Sequence, residues 1–252
     1  RAFQDNRMKS LVLADGKVGY EVCKYLINEY TSDIHAIVTT EKNQISDLAE
    51  AHGISTCIFT SEGQLYLKYG QSDIQIGLLI WWPRILHAPL IDLPREGFIN
   101  THPSFLPYSR GKHYNFWTLV EQTPFGVTLH KITPGIDDGA ICFQKAIEYS
   151  WLDTGETLYL KAQSEMIELF RQSYPQIRGG RIKCTPQDLT KGSFHRANEL
   201  HAASKISLDE PMMPRDLLNL LRARTFDGHP ACWFEENGEI FEARIRITRK
   251  TK

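Results

Sequence analysis

The chain has 252 residues, a length that suits one large α/β domain or an ordinary domain with a small appendage. Hydrophobic residues make up 42% and charged residues 23%, which excludes disordered, collagen-like and coiled-coil chains. With 29 basic and 30 acidic side chains, the formal charge of −1 provides no long-range attraction to a phosphate backbone, so no nucleic-acid partner is predicted. Apolar runs fall well short of the roughly 20 residues that cross a bilayer, so no membrane partner is predicted either.

The N-terminus and the cysteines bear on the cellular compartment. Residues 1–7 are polar and precede Met8, where the first strand pattern begins, so we expect them to be a cloning remnant or disordered. The segment lacks the pattern of a secretion signal. The cysteines are odd in number, widely scattered and without a CxxC pair: Cys23, Cys57, Cys142, Cys184 and Cys232. We therefore expect neither a disulfide framework nor a zinc site, and a reducing, cytoplasmic location.

Strand and helix patterns alternate along the first third of the chain. The apolar run Ser10–Ala14 predicts a strand, and apolar residues at intervals of three to four over 18–27 predict a helix. Further strands are predicted at 34–38, 54–59, 74–81 and 98–100, with helices at 45–51 and 65–69. This alternation is typical of βαβ units, so we predict an α/β protein with a Rossmann-like, mostly parallel, twisted sheet.

The pattern changes after residue 100. A loop rich in Pro, Ser and Gly covers 103–112, a helix is expected from Asn115, and 127–132 and 140–147 alternate as strands. The turn-rich segment 133–139 joins those two strands, and Asp153–Glu156 predicts the start of another helix. The first domain is therefore expected to span 8–180.

Residues 181–252 are predicted to form a small α+β appendage. Residues 211–222 indicate a short helix, and 231–247 indicate a hairpin turned by Asn237-Gly238. The segment carries 13 basic and 10 acidic residues, a balance unlike that of a nucleic-acid-binding arm. An exposed hairpin edge can pair with a second copy, so we expect a homodimer.

Polar side chains follow the predicted strands where a parallel sheet places its ligand crevice. Asn100 and His102 end one strand, and His130 and Asp137 flank the turn-rich segment. An amide can polarise a carbonyl, an imidazole can accept a proton from an attacking amine, and a carboxylate can orient the imidazole. A His beside a Pro and an Asp-Asp-Gly turn also suit purely structural roles, so spacing leaves both interpretations open.

Three segments, in order, decide between these interpretations. Phe98–Gly111 resembles the N-x-H-P-S-x-L-P-x-x-R-G motif of the folate-dependent formyltransferases. Gly126–His130 and Ile136–Ile141 resemble that family's G-V-T-x-H and D-x-G-x-I segments, and Trp81–Leu86 falls where the family cradles the pterin. A chance match of all of them is excluded in practice. The resemblance implies the formyltransferase fold.

The resemblance also implies a chemistry. A formyl group would pass from N10-formyltetrahydrofolate to a primary amine: Asn100 would hold the formyl oxygen, His102 would accept the amine proton, and Asp137 would steady the imidazolium. Direct attack by the amine requires no metal, and the His spacing indicates none. The positions implied to bind the folate are Trp82, Pro83, Arg84, Ile85, Leu86, Asp138 and Gly139.

The acceptor is inferred from the continuation of the motif. Gly111–Trp117, Trp151–Tyr159 and Leu220–Phe226 resemble enzymes that formylate 4-amino-4,6-dideoxyhexoses carried on dTDP or GDP, such as dTDP-4-amino-4,6-dideoxyglucose or GDP-perosamine. Such sugars are destined for surface polysaccharide, such as the O-antigen of lipopolysaccharide. Tyr114 departs from the expected Pro or small residue, which leaves the sugar less defined than the reaction. The positions expected to contact the acceptor are Ser104, Tyr108, Arg110, Gly111, Lys112, Asn115 and Trp117.

Other interpretations stay open at this point. A methionyl-tRNA formyltransferase would carry a sizeable C-terminal β-barrel and a basic tRNA surface, which the short, nearly neutral appendage disfavours. A non-catalytic relative could bind folate or a sugar nucleotide without transfer. Arg110 could hold a diphosphate or anchor its own loop. Trp117 suits the core better than a ligand platform.

Overall fold

A computed structural model describes residues 8–251, so the expectation for residues 1–7 lies outside the described residues. The chain divides into two compact units. The first contains the described residues up to His102, together with Thr128–Gln144 and Met166–Gln187. The second contains Pro103–Val127, Lys145–Glu165 and the described residues from Asp188 onward. A domain boundary near residue 180 stays a prediction.

The helices and strands follow the predicted order. Within residues 8–251 the strands are β1 (Ser10–Ala14), β2 (Ile34–Thr39), β3 (Thr56–Ile58), β4 (Ile76–Ile80), β5 (Phe98–His102), β6 (Arg110–Gly111), β7 (Gly126–Lys131), β8 (Ile141–Ala146), β9 (Phe194–His195), β10 (Cys232–Glu236) and β11 (Glu239–Ala243). The α-helices are α1 (Gly16–Tyr30), α2 (Gln44–Ala51), α3 (Glu62–Tyr69), α4 (Tyr114–Glu121), α5 (Gly155–Arg178), α6 (Glu199–Ala203) and α7 (Pro214–Ala223). None of the helices in this range combines the length and the apolarity needed to cross a bilayer.

Seven of the described strands form one large sheet in the order β3-β2-β1-β4-β5-β7-β8. The pairs from β3 to β5 are parallel, whereas β5 and β7 run antiparallel. The predicted α/β fold with a mostly parallel sheet is therefore confirmed. The antiparallel pair matters because it sets side chains of β7 directly opposite those at the end of β5.

The central strands are buried on both faces, as expected for parallel strands between helices. Every residue of β1 and β4 is buried, and their apolar side chains form the core of the first unit. Gly77 of β4 pairs with Phe98 of β5, and a Cβ at Gly77 would lie 2.1 Å from the Phe98 ring. Phe98 therefore occupies the space that a side chain at position 77 would need.

The second unit contains the predicted hairpin and a strand pair that the sequence did not indicate. β10 and β11 pair in antiparallel register about Asn237 and Gly238, whose positive φ values of 52° and 80° suit a type I′ turn. Arg110 and Gly111 of β6 pair in parallel with Phe194 and His195 of β9. This pairing links segments about 84 positions apart, a contact that local patterns do not encode.

The expectation of wholly reduced cysteines is wrong for one pair. Cys142 and Cys184 form a disulfide across a separation of 42 residues. The bond forms because Ile141 and Thr185 exchange two backbone hydrogen bonds in an antiparallel bridge, which brings the neighbouring cysteines together. Cys23, Cys57 and Cys232 are free and buried, and burial raises the pKa of the Cys23 and Cys232 thiols to about 12.

A buried acidic residue ties the end of α5 to the segment before β2. Asp33 is fully buried, and its carboxylate accepts hydrogen bonds from Arg178 Nε (2.7 Å), Arg178 Nη2 (3.0 Å) and the Tyr174 hydroxyl (3.1 Å). Burial and the Asp33 carboxylate raise the pKa of Tyr174, and the hydrogen bonds to Asp33 raise the pKa of Arg178. The bidentate pair compensates the cost of a buried carboxylate.

Replacing Arg178 tests this anchor. Arg178→Met keeps the aliphatic stem but removes both guanidinium hydrogen bonds from the buried Asp33 carboxylate. We expect the free energy of unfolding in urea to fall by about 2 kcal/mol. This is less than the roughly 3–5 kcal/mol lost when a fully buried ion pair is broken, because the Arg178 side chain is 40% exposed. Arg95→Met is the control: it breaks the exposed pair with Asp73 and should cost less than about 1 kcal/mol. Equal losses in the two variants would contradict the assignment.

Candidate active site

The end of β5 places Asn100 and His102 on one face, since strand side chains alternate. Thr101, between them, faces the other way. Its hydroxyl donates to the Leu79 carbonyl oxygen (3.0 Å) and accepts from the Trp81 backbone NH (2.8 Å). Thr101 thereby joins the end of β4 to β5 and fixes the strand from which Asn100 and His102 project.

His130, the last residue of the G-V-T-x-H segment, lies beside the predicted catalytic residues, although the resemblance implied no role for it. It lies directly opposite Asn100 in the β5–β7 register and is 1% exposed. Its Nδ1 is 2.8 Å from the Lys131 carbonyl oxygen, and its Nε2 is 3.2 Å from Asn100 Nδ2. A carbonyl oxygen only accepts, so Nδ1 carries a proton, and Nε2 faces the Asn100 amide NH₂ group, which donates to it. His130 therefore orients the Asn100 side-chain amide, with its NH₂ group facing Nε2.

Asp137 reaches the two imidazoles from the β7–β8 loop. Its Oδ1 lies 3.4 Å from His102 Nδ1 and 3.5 Å from His130 Nε2. The three side chains are 14%, 6% and 1% exposed, respectively, which strengthens electrostatic interactions among them. The structure thus brings Asn100, His102 and Asp137 together, with His130 beside them. The arrangement can stabilise charge on a carbonyl oxygen and accept a proton.

The same side chains have the composition of a metal site. Ligand atoms of His102, His130 and Asp137 lie within 4.8 Å of one another, close enough to hold an ion. One ring nitrogen of His130 faces a carbonyl oxygen and the other faces the Asn100 amide. The expectation of a metal-free reaction stays a prediction.

The positions expected to bind folate fall into two groups, both in the first unit. In the segment after β4, Trp82 and Leu86 are buried in the core, whereas Pro83, Arg84 and Ile85 are exposed. Backbone groups of 83–85 are therefore better placed than the two core side chains to meet a ligand.

The other two folate positions lie in the β7–β8 loop. The Asp138 carboxylate accepts a hydrogen bond from the Thr133 hydroxyl within its own loop. Gly139 is required sterically, because a Cβ there would lie 1.8 Å from the Lys131 carbonyl oxygen.

Several positions expected to contact the acceptor have structural partners within the second unit. The Ser104 hydroxyl donates to the Tyr108 carbonyl oxygen (2.8 Å), and the Asn115 amide donates to the Gly155 carbonyl oxygen (2.8 Å). These bonds shape the loop and the start of α4. Lys112 is exposed, and its role stays a prediction.

Arg110, Gly111 and Trp117 lie beside a segment that the motifs did not indicate. Gly111 has a φ of 87°, and a Cβ there would lie 2.1 Å from the His195 carbonyl oxygen. The Trp117 ring stacks on His195 at 3.5 Å between centroids. Trp117 therefore packs against His195. Among residues 8–251, the buried Arg110 Nε has no hydrogen-bond acceptor.

His195 in turn bridges two carboxylates, which links β9 to the end of α4 and to the start of α6. Its Nε2 is 2.6 Å from Glu121 Oε1, and its Nδ1 is 2.9 Å from Glu199 Oε2. The Arg196 backbone NH and then His195 hold the pKa of Glu199 below its ordinary value.

Comparison with known families identifies the chain. Residues 8–173 match the family model described as formyl transferase. The chain belongs to the formyl transferase family. Residues 199–249 match a second model, the N-formyltransferase dimerization C-terminal domain. The resemblance drawn from the motif segments is confirmed, and the protein is a formyltransferase.

Solved structures of other formyl transferase family members share the fold. A 4-N formyltransferase from Francisella tularensis has a TM-score of 0.81 at 21% identity, covering 97% of this chain and 100% of that one. The N-formyltransferase from Helicobacter canadensis, solved with folinic acid and dTDP-3-aminofucose, has a TM-score of 0.72 at 18% identity, covering 92% and 85%. Methionyl-tRNA formyltransferase from Clostridium thermocellum has a TM-score of 0.65 at 16% identity, covering 97% and 95%.

Substituting His130 tests whether it orients the amide of Asn100. His130→Phe removes the acceptor at Nε2, so the amide can rotate and present its oxygen instead of its NH₂ group. We expect kcat for formyl transfer to fall by about tenfold to a hundredfold with KM nearly unchanged. His130→Gln, which offers another acceptor, should retain more activity than His130→Phe. Parental kcat in the Phe variant would refute this role.

Proposed function

We propose that the protein transfers a formyl group from N10-formyltetrahydrofolate to the amine of a nucleotide-linked 4-amino-4,6-dideoxy sugar. The observation that carries the proposal is the group formed by Asn100, His102 and Asp137 at the end of β5, with His130 fixing the amide. An amide donor, an imidazole and an orienting carboxylate are what formyl transfer to an amine requires.

Each side chain has one task in the reaction. The acceptor amine attacks the formyl carbon, and Asn100 Nδ2 donates to the formyl oxygen as negative charge develops on it. Asp137 lies on the Nδ1 side of His102, so we assign the amine proton to His102 Nε2. The bond from the formyl carbon to N10 then breaks, the proton held by His102 passes to N10, and tetrahydrofolate leaves with His102 restored as a base. The Asp137 carboxylate stabilises the imidazolium while it carries the proton.

The acceptor class is supported by charge and by the C-terminal segment. The loop around Arg110 carries the resemblance to sugar formyltransferases, and a guanidinium suits a diphosphate. Residues 199–249 match a dimerization domain, not a tRNA-binding barrel. Ile240 and Phe241 of the hairpin are 69% and 41% exposed, which suits burial in a homodimer. The chain's charge of −1 favours a small anionic substrate over tRNA.

The biological setting follows from the two substrates. Sugar nucleotides and reduced folates are cytoplasmic metabolites, and we propose that the protein acts there. The formylated sugar would be used in surface polysaccharide such as O-antigen. The Francisella structure is described as a 4-N formyltransferase, and the Helicobacter structure as a complex with dTDP-3-aminofucose. These descriptions support a nucleotide-linked amino sugar as the acceptor. Experiment decides between amine positions 3 and 4 and identifies the nucleotide.

An acceptor panel tests the proposed reaction. We expect the purified protein to release tetrahydrofolate from N10-formyltetrahydrofolate in the presence of a dTDP- or GDP-linked 4-amino sugar. His102→Ala and Asn100→Ala should each lower kcat by at least roughly a hundredfold, because one removes the base and the other the oxyanion donor. His52→Ala, an exposed histidine, is the control. Transfer of the formyl group to methionyl-tRNA instead would refute the proposed acceptor. Binding of both ligands without transfer would refute the enzyme activity.

The rate should depend on pH through His102. A base must be neutral to accept the proton, so activity should be lost as pH falls through the imidazole range near 6.5, about tenfold per pH unit below it. The groups facing His102 are the Asp137 carboxylate and the His130 ring. Asp137→Asn should move the acidic limb of kcat/KM to lower pH, because a neighbouring carboxylate favours the imidazolium. A flat profile from about pH 5.5 to 8 would remove His102 as the base.

A further inference from the structure

The Asp137 carboxylate depends on a backbone conformation that needs support. Asp137 has a φ of 52°, in the left-handed region that costs a non-glycine residue about 1 kcal/mol. It lies in the β7–β8 loop, whose neighbouring residues Pro134, Gly135 and Ile136 are exposed. The orientation of its side chain toward His102 follows from this backbone. A contact that holds the loop would therefore control the geometry of the site.

Gln187 makes such a contact. Its Nε2 donates to the Asp137 carbonyl oxygen (2.9 Å) and to the Gly139 carbonyl oxygen (2.7 Å). One amide group therefore uses both of its hydrogens on the carbonyls on either side of Asp138. The side chain is half-buried, so water competes less for these bonds than at an exposed position. The double contact restrains rotation of the peptide group that follows Asp137 and of the one that follows Gly139.

The segment that carries Gln187 is itself anchored to β8. Thr185 exchanges two backbone hydrogen bonds with Ile141, each 2.8 Å long. The disulfide between Cys142 and Cys184 links the same two segments covalently. Gln187 lies two residues beyond Thr185, and Ile141 lies two residues beyond Gly139. The anchor therefore holds Gln187 at a fixed distance from the loop.

We propose that Gln187 is a positioning residue for formyl transfer, which holds the Asp137 carboxylate against His102 through the backbone of the β7–β8 loop. The inference rests on the proposed function for its catalytic consequence. Gln187 acts through Asp137 and is not assigned a contact with either substrate. A donor of two hydrogens is needed here, since both partners are carbonyl oxygens.

Gln187→Met tests the proposal because it keeps the shape and the neutral charge but removes both donors. We expect kcat to fall about tenfold while KM for both substrates stays within about twofold, since ground-state binding is not the target. The acidic limb of the rate profile should move to lower pH by about half a unit, because the carboxylate drifts from His102. Gln176→Met, the same change at an exposed glutamine of α5, should match the parent.

A second measurement does not depend on activity. The His102 ring is titrated by nuclear magnetic resonance in the parent, Gln187→Met and Gln176→Met proteins. We expect the midpoint of His102 to fall in Gln187→Met only. If the parent protein transfers no formyl group, the proposed function fails and this titration still decides the role of Gln187. A parental His102 midpoint in Gln187→Met, or loss of stability with an unmoved acidic limb, would overturn the inference.

Discussion

The register between β5 and β7 is the constraint on which the site depends. Because the two strands run antiparallel, Asn100 stands opposite His130, and the amide receives its orientation from an imidazole across the pair. A shift of one residue would turn His130 to the other face of the sheet. The parallel strand beside β5, β4, is buried in the core, so the register has little freedom to change. The chemistry of the site is thus a property of sheet pairing as much as of side-chain identity.

Most of the first unit could be predicted from the sequence because its signals are local. The buried run Ser10–Ala14 and the spaced apolar residues of α1 each encode an element within one window. The hairpin at Asn237-Gly238 is equally local, since two residues with positive φ determine the turn. The grouping of Asn100 and His102 also follows from a period of two along one strand. The motif segments then indicated the chemistry, and the family match agrees.

The remaining features arise from contacts between distant segments, which no local pattern records. The Cys142–Cys184 bond joins residues that lack any recognisable spacing, and it exists because Thr185 pairs with Ile141. Gln187 and His195 lie in a stretch that reads as featureless loop, yet one contacts the Asp137 loop and the other stacks on Trp117. Such residues can be recognised only from the folded structure, in which distant segments of the chain are in contact.

Gly77 shows how far the requirements of a reaction extend into a scaffold. It carries no functional group, yet the Phe98 ring fills the space where its side chain would be. Any larger residue there would displace the beginning of β5, the strand that ends in Asn100 and His102. A survey of inactivating substitutions would therefore mark position 77 alongside the reactive residues. In this fold, the absence of a side chain at the centre of the sheet is itself part of what aligns the reacting groups.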